Sequence, residues 1–334
     1  MEIIPSLRMW EFAKFFDKVN RLSQYHINTF RVNLKTLSNY KEYDSLMKVI
    51  LETIDRIGDV SFIIDVDMPN ESPRIVIYNK DYYNISKNEE IVLKFGIPEE
   101  KDCDKTLYVR GGKLKNIDFS DVRYIIYSSG NAVFKVAGFK QNDIILTAEQ
   151  DCVVWSGKSI HFDNGFLIPG VALDTEKNFI DNIPNENICA IALSFTQSSS
   201  QLDEAVKIFG NHNYMCKIED ACGVDNIEKI CNNSSCEGVY IGRGDLLFAS
   251  IEKDFLELQE RCARIANEHN KKVIIGTDIL ESMLEKVFPS RSDMTDWCCI
   301  KRLNPFGIVL SAALSYSNNI ENVIEFINKG LKYF

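Results

Sequence analysis

The sequence predicts an α/β protein, a (β/α)8 TIM barrel with a small all-β cap domain inserted after its third strand. The first observation behind this prediction is that short, almost continuously apolar runs alternate with helix-length segments along the 334 residues. Strands of that kind are buried on both faces, as in a parallel sheet covered by helices. The second observation is a stretch of roughly 120 residues between the third and fourth runs, which is rich in short alternating segments typical of a β-rich insertion.

Eight segments are predicted barrel strands because each is short and apolar. They are Glu2–Ser6, Thr29–Leu34, Ser61–Asp67, Ile188–Phe195, Tyr214–Glu219, Gly238–Gly244, Lys272–Asp278 and Gly307–Ala312. The helices predicted between them are Met9–Leu22, Tyr40–Ile57, Gln201–Phe209, Val224–Cys231, Asp254–Glu268, Ser290–Lys301 and Asn319–Leu331. In the first of these, Phe12, Phe16 and Val19 lie on one helical stripe, which indicates an amphipathic helix.

The cap domain is predicted from period-two alternation in the long insertion. Its strand candidates are Glu90–Leu93, Thr106–Val109, Val122–Tyr127, Ala132–Val136, Ile144–Thr147 and Cys152–Trp155. A Pro169-Gly170 pair marks the return to the barrel. We therefore expect a barrel formed by residues 1–73 and 166–334 and a cap formed by residues 74–165.

Composition limits the classes of partner. A net charge of −10 without a basic run argues against nucleic acid. Charged residues such as Glu2, Arg8 and Lys14 interrupt the start of the chain, so we expect no signal peptide and no membrane span. Ten cysteines without CxxC spacing, several within apolar runs, are typical of reduced, buried thiols, which predicts a cytoplasmic location.

Polar residues cluster at the predicted carboxyl ends of the strands, where barrel enzymes place their catalytic groups. They are Arg31, Asn33, Asp65, Asp67, Lys217, Glu219, Arg243, Asp245, Thr277 and Asp278. Alternation places Lys217 and Glu219 on one face of their strand, and the next strand would deliver Asp245 beside Glu219. Two carboxylates beside an ammonium suit a divalent cation together with an anionic substrate. An ordinary strand salt bridge is the alternative, but convergence at one mouth favours a ligand site.

Several motifs, in order along the chain, resemble those of the pyruvate kinase family. Lys217-Ile-Glu-Asp-Ala-Cys-Gly-Val resembles the family's Lys-Ile-Glu-Asn-x-x-Gly-Val, and Val239-Tyr-Ile-Gly-Arg-Gly-Asp-Leu resembles Met-Val-Ala-Arg-Gly-Asp-Leu. Val273-Ile-Ile-Gly-Thr-Asp-Ile-Leu-Glu-Ser-Met resembles Val-Ile-x-Ala-Thr-Gln-Met-Leu-Glu-Ser-Met. Phe30-Arg-Val-Asn and Ile168-Pro-Gly resemble the Ala-Arg-Leu-Asn and Leu-Pro-Gly stretches. The resemblance covers the barrel and the cap.

The resemblance implies a role for each matching residue. Glu219 and Asp245 would bind Mg²⁺ (or Mn²⁺) and, through it, an enolpyruvate or oxalate-like ligand. Lys217 would stabilise the phosphoryl group in transfer and the enolate oxygen. Thr277 would lie in the proton-relay region near the enolate carbon.

The remaining matches concern substrate binding. The resemblance implies that Arg31 is catalytic, together with Lys217 and Thr277. Arg31 and Asn33 would face the phosphoryl group. Gly244 and Asp245 would present backbone N–H groups to a substrate carboxylate if a helix starts there. Arg243, in the same motif, is also assigned to substrate binding.

Departures from the family pattern are concentrated on its nucleotide and K⁺ side. Lys35 and Thr36 stand where the family has a K⁺-ligating Ser and a nucleotide-side His, and Val66 replaces a Thr ligand next to Asp65. The family's C-terminal domain has no counterpart in these 334 residues. An ammonium from Lys35 near Asp65 would replace the electrostatic effect of the ion, so we expect no K⁺ requirement. The alternative is that Lys35 points into solvent.

Three functions are compatible with this sequence. The first is a Mg²⁺-dependent, pyruvate kinase-like phosphotransferase that acts on phosphoenolpyruvate, pyruvate or a close 2-oxo acid through an enolate. The second is a metal-enolate lyase or decarboxylase. The third is a non-catalytic protein that keeps the pocket for ligand binding. Each implies a small-molecule partner, with or without a nucleotide, and no nucleic acid or membrane; the sequence predicts no particular oligomeric state.

Overall fold

The structure is a computed structural model. It describes residues 1–8, 11–34, 37, 40–67, 70–71, 73–78, 80–96, 105–110, 121–128, 130–140, 143–163, 168–169, 173–248 and 254–330. Lys35, whose ammonium is predicted to replace K⁺ near the substrate, and its neighbour Thr36 lie outside the described residues.

The strands follow one another along the chain in three groups. The first barrel strands are β1 (Glu2–Pro5), β2 (Thr29–Asn33) and β3 (Ser61–Asp67). The insertion contains β4 (Asn70–Glu71), β5 (Arg74–Val76), β6 (Tyr82–Ile85), β7 (Glu90–Phe95), β8 (Thr106–Arg110), β9 (Tyr124–Tyr127), β10 (Ala132–Lys140), β11 (Asp143–Ala148), β12 (Cys152–Trp155), β13 (Ile160–Phe162) and β14 (Ile168–Pro169). The barrel continues with β15 (Ile188–Ser194), β16 (Tyr214–Ile218), β17 (Cys236–Gly242), β18 (Lys272–Gly276) and β19 (Gly307–Leu310).

Within the described residues, the barrel strands form one sheet in the order β1-β19-β18-β17-β16-β15-β3-β2, and neighbouring strands are parallel. The two edges of this sheet meet where Ser6 bridges Arg31. There the Leu7 N–H donates to the Arg31 carbonyl at 2.9 Å. The sheet therefore closes into a barrel, and the predicted fold class is confirmed.

Helices cover the outside of the barrel. They are α1 (Phe12–Ser23), α2 (Tyr40–Ile57), α3 (Asp174–Asp181), α4 (Ser199–Phe209), α5 (Ala221–Asp225), α6 (Ile227–Cys231), α7 (Arg243–Phe248), α8 (Phe255–Glu268), α9 (Arg291–Arg302), α10 (Ala312–Ser315) and α11 (Ile320–Gly330), with 3₁₀ turns at Asn185–Asn187 and Glu281–Leu284. Polar caps start several of them. Asp254 accepts from the N–H groups of Leu256 and Glu257, and Ser290 accepts from the Asp293 N–H.

Several helical regions differ from the sequence-based prediction, and two of them belong to the outer layer of the barrel. The predicted helix Val224–Cys231 is broken at Asn226 into α5 and α6. The structure adds α3, which the sequence analysis did not predict because it buries only Phe179 and Ile180 among its described side chains and lacks a continuous apolar stripe. This helix stands between the cap and β15, so it completes the third strand–helix unit of the barrel.

The barrel and the cap have separate cores. Side chains such as Ile4, Met215 and Tyr240 fill the barrel interior, while a larger apolar layer lies between strands and helices. In the cap, one sheet has the order β13-β9-β10-β11-β7-β8-β5 and surrounds its own cluster, which includes Phe134 and Phe162. The antiparallel pair β4–β14 connects the two units.

No helix among the described residues is long and apolar enough to span a membrane. The described cysteines, which are Cys152, Cys189, Cys216, Cys222, Cys231, Cys236, Cys262, Cys298 and Cys299, are free thiols.

Candidate active site

The carboxyl ends of the barrel strands surround a cavity of about 310 Å³. Its lining consists of Ser6, Leu7, Arg31, Asn33, Arg74, Lys217, Glu219, Tyr240, Gly242, Asp245, Thr277, Asp278, Val309, Leu310, Ser311 and Ala312. Arg74 belongs to the first strand of the cap sheet, and its guanidinium donates to the Gly157 carbonyl within the cap at 3.0 Å. The cavity therefore lies at the mouth where the cap meets the barrel, in the position that strand-end chemistry requires.

A buried charge network forms the floor of this cavity. The Lys217 ammonium lies 3.1 Å from Asp65 Oδ2 and 3.0 Å from Glu219 Oε1. The Arg31 guanidinium pairs with the same Asp65 oxygen at 2.5 Å and donates to Ser6 Oγ at 3.1 Å. Asp65 is fully buried below the lining, where it holds both cations in place. Strands β2, β3 and β16 thus bring Arg31, Asp65 and Lys217 together at the floor of the cavity.

Electrostatics keep the Lys217 ammonium charged. Burial by itself would lower the pKa of Lys217, but the carboxylates of Asp65 and Glu219 outweigh this effect and raise the pKa well above its ordinary value. The same balance, with burial opposed chiefly by Asp65, raises the pKa of Arg31. Both cations are therefore fixed positive charges across the physiological pH range.

Glu219 lies one residue beyond the end of β16, whereas the sequence prediction placed it within the strand. Its Oε2 accepts a hydrogen bond from the Phe195 N–H at 2.9 Å, and its Oε1 faces Lys217. The side chain is 3% exposed. The Glu219 side chain also explains why residue 242 is a glycine. A Cβ there would come within 2.6 Å of Glu219 Cγ, so the carboxylate requires Gly242 beside it.

Tyr240 is a member of the floor that the sequence analysis did not identify. The strand register places Tyr240 at the floor, because Tyr240 on β17 pairs with Lys217 on β16. The Lys217 ammonium lies 5.3 Å from the centre of its ring and the Arg31 guanidinium 5.9 Å, distances at which a cation is attracted to the aromatic face. Burial raises the pKa of the Tyr240 hydroxyl. Ser194, which accepts from the Lys217 ammonium at 3.3 Å, was also not predicted.

Asp245 reaches the cavity from a helix rather than from a strand. The predicted strand Gly238–Gly244 ends at Gly242, and α7 begins at Arg243. Gly244 and Asp245 therefore lie in the first turn, where backbone N–H groups lack partners inside the helix. Gly244 does not line the cavity; a Cβ there would come within 2.9 Å of Thr277 Cγ2, so its small size allows the close approach of Thr277.

The structure does not bring the Arg243 guanidinium to the cavity. It pairs with Asp296 at 2.6 Å and donates to the Thr277 carbonyl at 2.5 Å and the Gly276 carbonyl at 3.2 Å. Asp296 lies 53 residues away in the chain, so this clamp depends on the tertiary fold and was not foreseen. These contacts position the turn after β18, and the predicted role of Arg243 in substrate binding stays a prediction.

That turn holds Thr277 in an unusual backbone conformation. Thr277 has a φ of +80° and Asp278 a φ of +53°. A β-branched residue in this region is strained, and such strain is concentrated at functional sites. The Arg243 clamp on the Thr277 carbonyl stabilises the conformation, and both Thr277 and Asp278 line the cavity.

The donor set at this cavity fits a divalent ion. Glu219 and Asp245 both line it and offer carboxylate oxygens. In the part of the chain that the structure describes, no three His, Cys, Asp or Glu side chains converge closely enough to hold a metal by themselves. Mg²⁺ ordinarily keeps several waters and takes one or two carboxylates together with substrate oxygens. Two carboxylates beside an open cavity suit that mode of binding.

His161 of the cap is a further neighbour that the sequence analysis missed. It lies in β13, is 4% exposed, and places Nε2 3.0 Å from Asp245 Oδ1. A histidine in the middle of a three-residue apolar strand resembles an ordinary core residue in the sequence. The contact between His161 and Asp245 forms only because the cap packs on α7, and no sequence pattern predicts that packing.

Fold and site together define an α/β-barrel protein with a capped, charged pocket at the carboxyl ends of its strands. Within that class, the family model described as the pyruvate kinase barrel domain matches residues 9–300. The chain therefore belongs to the pyruvate kinase family, as the motifs indicated.

Individual relatives match at low identity. The pyruvate kinase of Methanocaldococcus jannaschii is 28% identical over 255 residues, 70% of this chain and 56% of that protein. A cytosolic pyruvate kinase isozyme of Nicotiana tabacum is 37% identical over 142 residues, 39% of this chain and 27% of that protein. A pyruvate kinase structure from Cryptosporidium parvum has a TM-score of 0.77 at 16% identity and covers 98% of this chain and 68% of that one. The alignments with these two curated relatives span less than two thirds of their length.

Proposed function

We propose that this protein is a divalent-metal-dependent enzyme that acts on phosphoenolpyruvate, pyruvate or a close 2-oxo acid through an enolate, with phosphoryl transfer as its reaction. The observation that carries the proposal is the Lys217 ammonium, which is buried and held between Asp65 and Glu219 at the floor of the cavity that Asp245 also lines. A decayed pocket has no need for this network, because a buried charge group is costly unless it is fully paired.

The positioned charges suit a reaction in which negative charge moves. Phosphoryl transfer requires cations around the moving group and little covalent chemistry from the protein. Lys217 and Arg31 are preorganised by Asp65, so they do not have to reorient when charge develops on an enolate or phosphoryl oxygen. A bound Mg²⁺ or Mn²⁺, held by Glu219 and Asp245, would polarise the substrate oxygens.

Other residues of the cavity have supporting roles in this proposal. Asn33 and Arg31 would face the phosphoryl group. Asp245 lines the cavity from the first turn of α7, and the backbone N–H groups of that turn would bind a substrate carboxylate. Thr277 holds a water over the enolate carbon for proton relay, because a threonine hydroxyl is itself a poor base. Lys35 supplies a fixed positive charge in place of K⁺.

A metal-enolate lyase or decarboxylase is the second candidate. It is favoured by one observation, the replacement of the family's nucleotide-side and K⁺-side residues by Lys35, Thr36 and Val66 in a chain that keeps the enolate floor. Such a floor serves cleavage of a carbon–carbon bond as well as phosphoryl transfer.

A phosphorus NMR screen distinguishes these candidates. The protein is incubated with phosphoenolpyruvate, Mg²⁺ or Mn²⁺, and a panel of nucleotides, with K⁺ or with a non-coordinating cation. We expect consumption of phosphoenolpyruvate at equal rates with and without K⁺. A parallel sample with oxaloacetate and no nucleotide is followed by proton NMR. Conversion of oxaloacetate there, together with no consumption of phosphoenolpyruvate, would select the lyase. A strict K⁺ requirement would contradict the role of Lys35.

The Glu219→Gln variant tests the metal assignment. It should lose metal-dependent oxalate binding in calorimetry and still fold, because Gln preserves the size of the side chain. Glu228→Gln, the same change at an exposed position of α6, is the matched control and should bind normally. Unchanged oxalate binding by Glu219→Gln would remove Glu219 from the metal site.

A further inference from the structure

The hydroxyl of Tyr240 is a polar group at the cavity floor that has no hydrogen-bond partner among the described residues. The side chain is 3% exposed and lines the cavity. Its charged neighbours, Lys217 and Arg31, face the ring, and no described residue forms a hydrogen bond with the hydroxyl. The hydroxyl is also not among the fully enclosed polar atoms, so it opens on the cavity.

A glycine determines where this hydroxyl can lie. A Cβ on Gly276 would come within 2.6 Å of the hydroxyl oxygen, so the oxygen occupies space that only a glycine leaves open. Gly276 is the last residue of β18, and Thr277, which lines the cavity, follows it. The side chain of Tyr240 therefore begins on β17 and ends with its hydroxyl beside the turn that carries Thr277.

This pair of residues differs from the family motifs that the chain resembles. When the motifs are aligned on Arg-Gly-Asp, Tyr240 stands at the methionine of Met-Val-Ala-Arg-Gly-Asp-Leu. Gly276 stands at the alanine of Val-Ile-x-Ala-Thr. The larger and the smaller residue compensate for each other in volume. The net result is a hydroxyl beside Thr277 where the family motif supplies a thioether.

The hydroxyl of Tyr240 remains a hydrogen-bond donor at physiological pH. Burial raises its pKa above the ordinary value, so it stays protonated and neutral. A buried donor without an acceptor has lost the hydrogen bonds that it makes with water in the unfolded chain. Such a group, when it opens on a cavity, indicates a ligand atom that accepts from it.

We propose that the Tyr240 hydroxyl donates a hydrogen bond to an oxygen on carbon 3 of the substrate, which is therefore a 2-oxo acid, or its enol phosphate, with a hydroxyl group on that carbon. The inference rests on the proposed function and deepens it, because that function places the enolate carbon near Thr277. Pyruvate and phosphoenolpyruvate carry only hydrogens on this carbon and would leave the donor unpaired. A site that bonds a substrate oxygen discriminates strongly against the analogue without it.

The affinities of three 2-oxo acids, measured by calorimetry with Mg²⁺, test this substrate class. 3-Hydroxypyruvate and 2-oxobutanoate are matched in size, since the first carries a hydroxyl and the second a methyl group on carbon 3. Pyruvate carries neither. We expect 3-hydroxypyruvate to bind roughly tenfold or more tightly than the other two, the scale of one satisfied buried hydrogen bond. Equal affinities would overturn the inference.

Tyr240→Phe removes only the hydroxyl. It should lower the affinity for 3-hydroxypyruvate to that for 2-oxobutanoate, which should itself change little because the ring still faces Lys217 and Arg31. Tyr214→Phe is the matched control, because Tyr214 is a buried tyrosine of β16 whose hydroxyl donates to the Gly210 carbonyl at 2.6 Å. It should change neither affinity. A preference for 3-hydroxypyruvate that survives in Tyr240→Phe would exclude the hydroxyl as its cause.

The stability of the ligand-free protein tests the unpaired hydroxyl independently of any substrate. Tyr214→Phe should lower the midpoint of urea denaturation, because a satisfied buried hydrogen bond is lost. Tyr240→Phe should leave the midpoint unchanged or raise it, because no hydrogen bond within the protein is lost. Equal decreases in both variants would show that the Tyr240 hydroxyl is paired inside the protein, and the inference would fail.

The outcomes separate the two proposals. If all three 2-oxo acids bind equally, and Glu219→Gln abolishes their binding, the proposed function stands and the assignment of Tyr240 fails. If none of the three binds with Mg²⁺ or Mn²⁺, and oxalate does not bind either, both proposals fail.

Discussion

The floor of the cavity and the seam between cap and barrel both consist of charged side chains in contact, but different parts of the chain hold them. At the floor, Lys217, Asp65 and Arg31 all come from barrel strands. Their contacts therefore depend only on the pairing of strands within the barrel. At the seam, Asp245 of the barrel is 31% exposed in its side chain and meets His161 of the cap. The floor is therefore a property of one domain, whereas the seam exists only when two domains dock.

This difference predicts that changes at the floor alter the folding of the barrel and its chemistry, and that changes at the seam alter docking and ligand retention. The two domains have separate cores. Contacts between domains of this kind open at lower free energy than a domain core. The following variants test the contrast in order of expected effect.

The largest effect is expected from Asp65→Asn. The change removes the carboxylate shared by Lys217 and Arg31, and breaking a buried pair on one side costs about 3–5 kcal/mol. Chemical denaturation of the barrel measures the loss. Asp225→Asn is the matched control, because Asp225 pairs with Arg261 at 3.6 Å on the surface and should contribute at most about 1 kcal/mol. Equal, small effects of the two variants would refute the view of the floor as a paired network.

Lys217→Met should lower turnover roughly 10²-fold or more, the effect of removing one preorganised charge from a reaction centre. The side chain keeps its length and fills the same space between β16 and Tyr240, so the metal and oxalate should still bind. Turnover measured beside oxalate affinity checks the prediction. Lys229→Met, at an exposed site on α6, should leave both unchanged; near-normal turnover of Lys217→Met would exclude the role.

Gly130→Ala tests the seam, with Gly157→Ala as its control. Both glycines belong to the cap and have nearly equal φ values, +84° and +83°, so each substitution carries the same left-handed backbone cost of about 1–2 kcal/mol. Only the Cβ at position 130 meets Phe248, and overpacking adds about 1–3 kcal/mol. We expect faster hydrogen exchange in α7 for Gly130→Ala alone. Identical exchange in the two variants would show that the seam does not depend on this contact.

The smallest effect concerns Thr277. Replacement by Gly relieves the strain at φ +80°, so Thr277→Gly should be more stable than Thr277→Ala by about 1 kcal/mol, the reverse of the usual order. Both should slow solvent deuterium exchange into the methyl group of pyruvate, because both lack the relay hydroxyl. Thermal unfolding measures the stability of the two variants, and proton NMR measures deuterium exchange into the methyl group of pyruvate. Unchanged exchange would assign the hydroxyl to the turn instead of the chemistry.

Much of the floor was predictable from local sequence. The alternation rule placed Lys217 and Glu219 on one face, and their side chains meet at 3.0 Å. The position of Arg31 at the end of an apolar run predicted a location at the mouth, and in the structure Arg31 is part of the cavity lining. These predictions depend on strand periodicity and strand order, which apolar patterning reports directly.

The seam was not predictable in the same way. Asp245 was expected at the end of a strand, but the chain turns into α7 after Gly242, and a six-residue helix leaves too short a pattern to detect. Arg243 was expected to bind substrate, and its partner Asp296 is supplied by α9 instead. Side-chain partners that are distant in sequence leave no periodic signal.

The sequence by itself therefore determined the barrel, the insertion and the identities of the charged groups at the strand ends, because burial of apolar runs decides them locally. Tertiary structure alone decided which of those groups face the cavity and which hold the surrounding turns. It also brought His161 to Asp245, two residues that belong to different domains. The physical reason is that the direction of a side chain at a strand end follows from the nearest partner in space, and that partner is chosen by the packing of the whole chain.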